Sequence, residues 1–541
     1  MTSATLLAAG TPATRDRYAD LLPVASLGIV IAGHWLMAVP DAGGDRITNV
    51  LAVVPVLQPL TWLLQVMPLF FLVGGFGHAT AWASIQRRGG GYADFVRTRV
   101  ARLLRPAAVF LGVWLVIALG VALAGQDHGI VRVALRTVVQ PLWFLGVYLG
   151  LVALAPVMLR LHRAFGVRVP VALLAAAAVV DLLRFHGYAG AAVLNLLLVW
   201  AAVHQFGFFY ADGSLQRHGR ALAVGGMAGL LLVTTAGPYP TSMVGVPGQA
   251  VSNMSPPTLA LAAHAVWLTG LAMLLRGPAT RGLARARVWR AVVAANGLAM
   301  TAFLWHLTAA FALLAVFRTG LGAAPGTASW WLTRPLWLAA AGAVTGVLVA
   351  AFRRFDVMRP TVVVAGASVG RAVAGAVGCT LGVLGVSAVG YGGLLTGKTA
   401  MLLVVPVTAP VALGLVVGGG CAAADRAAEF GAGVVARLGH GAGVVARLGL
   451  GGGVVARLGL GAAFVARLGL GGGREFVCRA LPAGRLGFGG SRRPAGRPGP
   501  GGSRRRRPAG RPGLGFAGRW GSPGYPQGGG KCRWAAVAFR A

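Results

Sequence analysis

The stretch ASLGIVIAGHWLMAV, residues 25–39, is apolar almost throughout and carries one histidine, His34, near its middle. About 20 apolar residues in a row let a helix cross the hydrocarbon core of a membrane, and comparable stretches recur along most of the chain. Charged residues make up 11% of the sequence, whereas a soluble domain carries about 25%. The sequence therefore predicts an all-α fold, a polytopic transmembrane bundle with a disordered C-terminal tail.

Twelve apolar stretches could form membrane-spanning helices. They lie near 21–39, 62–84, 103–124, 141–159, 170–186, 190–210, 221–236, 257–275, 291–315, 331–351, 368–391 and 400–419. Because several are short or rich in glycine, we expect about 10–12 helices. The first stretch follows the polar TRDRYAD and has no small-residue cleavage site after it, so we interpret it as a retained helix and not as a signal peptide.

The composition divides the chain into four parts. We predict a cytoplasmic N-terminal segment at 1–20, the main membrane domain at 21–360, additional transmembrane helices at 361–425, and a tail rich in Gly, Arg and Pro at 426–541. With the N-terminus inside, the inner segments of the membrane part hold 22 arginines and the outer segments seven basic residues. Basic residues stay preferentially on the cytoplasmic side. We therefore predict a multi-pass protein of the bacterial plasma membrane with both termini cytoplasmic.

The net charge of +37 does not by itself indicate a nucleic-acid-binding protein, because about half of the excess lies in the tail. From residue 431 onward there are 19 basic residues and one acidic residue. A ten-residue repeat fills 431–470, and GGSRRPAGRPG recurs in longer form at 501–513. Such segments cannot bury a core. Two interpretations stay open: the tail binds anionic lipid or RNA, or it arose by repeat expansion or a shifted reading frame and has no function.

Two histidines on different predicted helices are expected at similar depth. His34 lies 13 residues into the first span and His306 fifteen residues into the ninth, or about 20 and 22 Å at 1.5 Å per residue. Neutral imidazole acts readily as a general base, and ionisable groups inside a membrane are costly and usually functional. The alternative is a structural histidine that hydrogen-bonds a neighbouring carbonyl, which we expect for His78, His204 and His264.

The segment RTRVARLLRP, residues 97–106, begins the third predicted helix at its cytoplasmic end. Arg102 and Arg105 are three residues apart and so share one face of a helix. Paired guanidinium groups bind phosphate or pyrophosphate well. The alternative interpretation is that they are ordinary membrane-surface anchors.

The outer loop at 238–258 has no charge but carries several hydrogen-bonding side chains. Ser252 and Asn253 are weak candidates for binding a polyhydroxyl acceptor, and a plain connecting loop explains the same prolines and glycines. The four cysteines lack metal or disulfide spacing, and we expect no metal.

In this order, these segments resemble the acyltransferase-3 family of bacterial integral membrane acyltransferases, in an actinobacterial branch. The likeness covers about residues 17–360 and includes the 20–34 span, FFLVGGF (70–76), RLLRP (102–106), LWFLGVYLGLVALAP (142–156) and AMTAFLWHLTAAF (299–311). The resemblance implies transfer of an acyl group from a cytoplasmic acyl-CoA-type donor, a substrate and not a bound cofactor, to a hydroxyl of an envelope carbohydrate, lipid or small molecule.

The resemblance also implies residue roles. It makes His34 catalytic and makes Arg102 and Arg105 contacts of the acyl donor. From the matched depth of the two histidines, we expect His306 to be a second catalytic residue, a helper that orients His34 or relays protons. Two positions depart from the family pattern: Pro23 stands where an arginine is usual, and FLGVYL lacks the usual glutamate. Pro23 is expected in the first turn of its helix. The competing hypothesis is a transporter or flippase for polar or lipid-linked solutes, since buried histidines and polar outer loops suit both functions.

Overall fold

The computed structural model describes residues 3–12, 14–40, 47–124, 129–316, 324–355 and 368–391. The predicted span at 400–419 and the whole predicted tail at 426–541 lie outside the described residues.

The N-terminal half alternates long helices with short connecting elements. Its helices are α1 (Ser3–Ala9), α2 (Arg17–Met37), α3 (Val50–Val53), α4 (Thr61–Leu64), α5 (Met67–Arg87), α6 (Tyr92–Leu123), α7 (Gly129–Thr137) and α8 (Leu142–Phe165). A two-stranded antiparallel hairpin, β1 (Ala38–Pro40) and β2 (Ile47–Asn49), follows α2 and pairs Val39 with Thr48. A 3₁₀ helix at Pro55–Leu60 joins α3 to α4.

The rest of the described chain is also helical. It contains α9 (Arg168–Phe185), α10 (Asn195–Ala211), α11 (Gly219–Thr235), α12 (Leu259–Leu283), α13 (Ala286–Asn296), α14 (Ala299–Val316), α15 (Ala328–Phe352) and α16 (Val369–Val389). Further 3₁₀ helices occupy Ala189–Leu194, Gln216–His218 and Arg353–Phe355.

Helices occupy eleven of the twelve positions that the hydropathy pattern predicts, which confirms the all-α membrane bundle. Nine described segments are long and apolar enough to cross a membrane. The two predicted spans outside this set are α9, which carries Arg168, Asp181 and Arg184, and α11, which has only 17 residues. They complete the bundle by packing against neighbours, α9 on α10 and α11 on α12.

The ninth predicted span, 291–315, is not one helix. It divides into α13 and α14 at Gly297. The predicted depth of His306 assumed one continuous helix from residue 291, and that assumption was wrong. The reason lies in α13, which is amphipathic: Trp289 and Val292 are buried while Arg287 and Arg290 are exposed. A helix with one charged face lies along a surface and does not cross it.

Hydrogen bonds at one end of the bundle join the start of α2 to the end of α12 and to the end of α13. Tyr18 of α2 donates to the carbonyl of Ala272 at 2.7 Å, and Arg17 donates to the carbonyl of Leu283 at 3.0 Å. Asn296, the last residue of α13, donates to the carbonyl of Asp20 at 2.8 Å. The start of α2 therefore lies beside the end of α12 and the α13–α14 junction, as antiparallel neighbours require.

Pro23 lies in the second turn of α2, and its expected place in the first turn was wrong. Asp16 caps the helix earlier, because its carboxylate accepts from the backbone N–H groups of Tyr18 and Ala19. Side-chain oxygens at the N-cap satisfy amides that have no partner within the helix. The helix accordingly begins at Arg17.

The paired glycines of FFLVGGF permit two close contacts in the centre of the bundle. A Cβ on Gly74 would lie 2.6 Å from Cε2 of Tyr148, and a Cβ on Gly75 would lie 2.1 Å from the carbonyl oxygen of His204. Small residues let membrane helices approach closely. Gly75 thereby brings α5 against α10, and Gly74 makes room for the ring of Tyr148 from α8.

Candidate active site

The two predicted histidines meet between α2 and α14. Nδ1 of His34 lies 3.0 Å from Nε2 of His306, and the ring centroids are 5.0 Å apart. His306 is 1% exposed, whereas His34 is half-buried. The structure thus joins two residues separated by 271 intervening positions, and leaves the first of them partly accessible.

The hydrogen bonds fix which nitrogen of each neutral ring carries the proton. Nδ1 of His306 contacts the carbonyl oxygen of Phe303, and a carbonyl only accepts, so this nitrogen donates. Nε2 of His306 is then the acceptor, and Nδ1 of His34 must donate to it. In this arrangement Nε2 of His34 carries a free lone pair, and no described residue hydrogen-bonds to it.

Two tryptophans hold the pair in place. Trp35 donates through Nε1 to the carbonyl of His306 at 2.9 Å. Trp337 of α15 donates in turn to the carbonyl of Trp35 at 2.9 Å. These bonds fasten the backbone next to each imidazole to a neighbouring helix, which limits how far either ring can move.

Arg334, one of the seven basic residues of the predicted outer segments, is a buried charge near this network. It is 5% exposed, and its guanidinium carbon lies 4.4 Å from the ring centroid of Trp330 and 5.5 Å from that of Trp337. Arginine is often stabilised over tryptophan rings in this way. The signal was present in WWLTRPLW (330–337), where tryptophans flank the arginine at helical spacing.

Arg102 and Arg105 are both half-buried on α6, where the sequence placed them. A third arginine, Arg99, joins the group, and its guanidinium donates to the carbonyl of Gly77 at 3.1 Å. Arg99 and Arg102 both interact electrostatically with the phenol of Tyr148. Tyr148 lies in the FLGVYL segment, so a phenol from this segment lies beside the arginines.

A row of aromatic ring contacts, which we call the aromatic file, runs from His306 through Phe303 and Phe144 to Tyr148 beside these arginines. The Phe303 ring lies 5.6 Å from that of His306 and 5.5 Å from that of Phe144, and Phe144 lies 6.0 Å from Tyr148. The file crosses from α14 to α8. Ring contacts therefore connect the histidine pair to Tyr148, whose phenol interacts with Arg99 and Arg102.

A second histidine pair lies nearby and was not expected. Nδ1 of His78 is 2.9 Å from Nε2 of His204, and both residues are essentially fully buried. The expectation that each bonds a neighbouring carbonyl was wrong for these two, because the close approach of α5 and α10 brings the imidazoles together. It is confirmed for His264, whose Nε2 lies 2.7 Å from the carbonyl of Trp62.

The outer loop is held by its own polar groups. Asn253 is 0% exposed; its amide donates to the carbonyls of Pro240 and Ser242 and accepts from Thr258. Ser252 is half-buried and accepts from the backbone N–H of Met254. These bonds favour a role in shaping the loop, and acceptor binding by either residue stays a prediction.

Asp181 anchors the same loop to the bundle. Its carboxylate accepts from Asn195 at 3.0 Å, from the hydroxyl of Tyr239 at 3.0 Å and from the backbone N–H of Leu259 at 2.8 Å. Burial and the neighbouring negative charge of Asp181 raise the pKa of the Tyr239 hydroxyl. The described residues contain no group of three or more His, Cys, Asp or Glu that could hold a metal ion.

Comparison with known proteins decides the family. The family model described as an acyltransferase domain, acyltransferase-3, matches residues 18–353. The chain belongs to this family. No curated protein and no solved structure gives a significant match.

The matched range covers α2 to α15 and includes both members of each histidine pair and the three arginines of α6. It agrees with the 17–360 range over which the sequence resembles the family. This acyltransferase-3 domain forms a multi-pass membrane protein, and its family implies acyl transfer between a donor and an acceptor.

Proposed function

We propose that this acyltransferase moves an acyl group from a cytoplasmic acyl-CoA-type donor to a hydroxyl of an envelope carbohydrate, lipid or small molecule on the outer side. The acyltransferase family membership supports acyl transfer over the transporter or flippase alternative. The observation that carries the proposal is the free lone pair on Nε2 of His34, fixed by the chain of hydrogen bonds through His306 to Phe303.

In the proposed reaction, Nε2 of His34 takes the proton of the acceptor hydroxyl. The hydroxyl oxygen attacks the thioester carbonyl, the carbon–sulfur bond breaks, and the thiolate leaves with the proton that His34 carried. In an alternative order, Nε2 of His34 attacks the thioester carbonyl first, the carbon–sulfur bond breaks and the thiolate leaves. The acceptor hydroxyl then attacks the acyl group on His34, its proton goes to the thiolate, and the imidazole is released. In both orders positive charge develops on His34, and the hydrogen bond from its Nδ1 to His306 stabilises that charge.

The donor side of the proposal rests on the α6 arginines. Guanidinium groups grip phosphates bidentately, and Arg102 and Arg105 present two of them at the predicted cytoplasmic end. The aromatic file from Tyr148 to Phe303 supports an apolar route along which an acyl chain on an extended arm would run toward His34. The partly buried position of the arginines strengthens their electrostatic effect relative to a fully exposed pair.

The test uses the full chain purified into lipid nanodiscs and supplied with radiolabelled acetyl-CoA and a cell-envelope extract. We expect the wild type to release free thiol and label the extract, and His34→Ala to do neither. His186→Ala is the matched control, because His186 is an exposed histidine whose Nδ1 bonds only the carbonyl of Leu182 among described groups. Wild-type rates in His34→Ala would reject the catalytic role of His34.

A further inference from the structure

The segment at 50–66, which follows the His34 helix and the hairpin, contains no charged residue. The chain breaks twice within it, at Val54 and at Gln65, so its helices stay one to two turns long. It cannot cross the membrane in this form. The next helix, α5, has 21 residues and spans about 32 Å at 1.5 Å per residue, enough by itself for a hydrocarbon core of about 30 Å.

One side of this segment is fastened to the outer loop by its polar groups. Trp62 donates to the carbonyl of Thr241 at 2.7 Å, and the hydroxyl of Thr61 accepts from the N–H of Met243 at 2.8 Å. The amide of Gln65 also donates to the carbonyl of Met243. The hydrogen-bonding groups therefore point toward protein.

The other side carries large apolar side chains that the described part of the chain leaves exposed. We call these five residues the apolar stripe; their exposed fractions are 47% for Val53, 79% for Val56, 49% for Leu60, 58% for Leu63 and 48% for Leu64. A monomeric soluble surface seldom groups such residues together. Their arrangement opposite a polar side is typical of segments that lie in a membrane interface.

The position of this segment between two membrane-crossing helices indicates what contacts the apolar stripe. The segment connects the end of α2 at Met37 to the start of α5 at Met67, two helices that cross the membrane, so it lies at the level where both helices leave it. The stripe thus adjoins one segment that is long and apolar enough to cross a membrane, Arg17–Met37, and lies mostly within a second, Pro55–Arg87. A charged or hydrogen-bonding partner has nothing to bind there, because the polar groups of the segment point the other way.

The same segment adjoins the histidine site. His34 lies one turn before the end of α2, and the residues that follow it pack into the segment: Val39 forms a buried cluster with Val50, Leu51, Val246 and Trp330. A shift of the segment therefore acts directly on the end of the helix that carries His34.

We infer that the apolar stripe docks into the acyl-chain region of the adjoining leaflet and that the acceptor enters sideways from that leaflet. The acceptor class is then an amphiphile, a lipid or a lipid-linked hydroxyl compound, and not a freely diffusing polar solute. The statement about the acceptor rests on the proposed function of His34, whereas the docking of the stripe does not.

The docking is tested by fluorescence depth measurement on the full chain. Val56→Cys, in a background with all four cysteines replaced by alanine, is labelled with an environment-sensitive dye in phosphatidylglycerol–phosphatidylethanolamine nanodiscs. A doxyl group about 5–10 Å below the headgroups should quench this dye, and aqueous iodide should not. Ala250→Cys, exposed in the outer loop, is the matched control with the reverse pattern. Iodide quenching at Val56, or shielding from both quenchers by a second copy or another protein, would overturn the docking.

The acceptor class is tested by following the label. With radiolabelled acetyl-CoA and native membranes, we expect label in the chloroform–methanol phase, and a rate lowered by Val56→Glu but retained by Val56→Leu. Label confined to water-soluble material, or an unchanged rate in Val56→Glu, would overturn the lateral entry. If the wild type transfers no label at all, the proposed function fails together with the acceptor assignment, while the depth measurement still decides the docking.

Discussion

Nδ1 of His34 donates to Nε2 of His306 at 3.0 Å, and the carbonyl of Phe303 fixes the direction of that bond. His34 is thus positioned as a base, and His306 orients it. The backbone carbonyl of Phe303 is the final acceptor in this chain of hydrogen bonds. The arrangement engages Nδ1 of His34 and leaves Nε2 without a hydrogen bond from any described residue.

Substitution of His306 should separate orientation from chemistry. His306→Ala removes the acceptor of the His34 Nδ1–H, so we expect kcat to fall by about 10–100-fold with little change in KM. This is less than the loss of about 10²–10⁴-fold expected when the general base itself is removed. His306→Gln places a carbonyl oxygen near the former Nε2 and should retain more activity. Equal losses in both variants, or a change in KM alone, would contradict the orienting role; circular dichroism confirms that each variant is folded.

The acidic limb of the rate profile provides a second check on the histidine site. Protonation of His34 occupies the lone pair of Nε2, so we expect kcat to decline as the pH falls. Steady-state rates across pH measure this decline. A wild-type rate that shows no acidic limb at any pH at which the protein stays folded would argue against an imidazole base.

Arg102→Ala should weaken donor binding. Losing one charge-assisted hydrogen bond costs about 1.5–3 kcal/mol, which corresponds to a rise in donor KM of about 10–100-fold with a smaller change in kcat. Arg281→Ala, an exposed arginine of the same predicted side, is the control. If both variants raise the KM equally, general surface charge and not a donor site explains the effect.

The Gly75 contact predicts a sharp difference in stability between two neighbouring glycines. Gly75→Ala places a methyl group against the backbone carbonyl of His204, while Gly77→Ala meets no atom within 4 Å. We expect Gly75→Ala to lower the thermal midpoint in nanodiscs strongly, because backbone cannot move aside as a side chain can. Gly77→Ala should stay near the wild type, and a similar midpoint for both would refute the close packing of α5 on α10.

Asp181 predicts a graded response in the outer loop. Tyr239→Phe removes one of its three hydrogen bonds, at a cost of about 1 kcal/mol. Asp181→Ala removes the acceptor that all three donors share, at a cost of about 1–3 kcal/mol for each donor left buried and unsatisfied. Limited proteolysis within 238–258 should therefore accelerate slightly in the first variant and strongly in the second. Identical cleavage rates would show that the loop is held elsewhere.

Several features of this protein could be predicted from residue order alone. Apolar stretches of about 20 residues fix the number and approximate positions of the helices, because lipid forces every backbone group to bond within its own segment. The same reasoning placed His34, His306, Arg102 and Arg105 on helices, and the ordered motifs indicated the acyltransferase-3 family.

Only the tertiary structure decided which side chains meet. The break between α13 and α14, the pairing of His78 with His204, the burial of Arg334 between two tryptophans and the engagement of Asn253 within its loop all depend on contacts between segments far apart in sequence. Hydropathy is nearly uniform around these helices, so it does not reveal which face of a helix points inward. Packing sets that rotation, and with it the nitrogen of His34 that stays free.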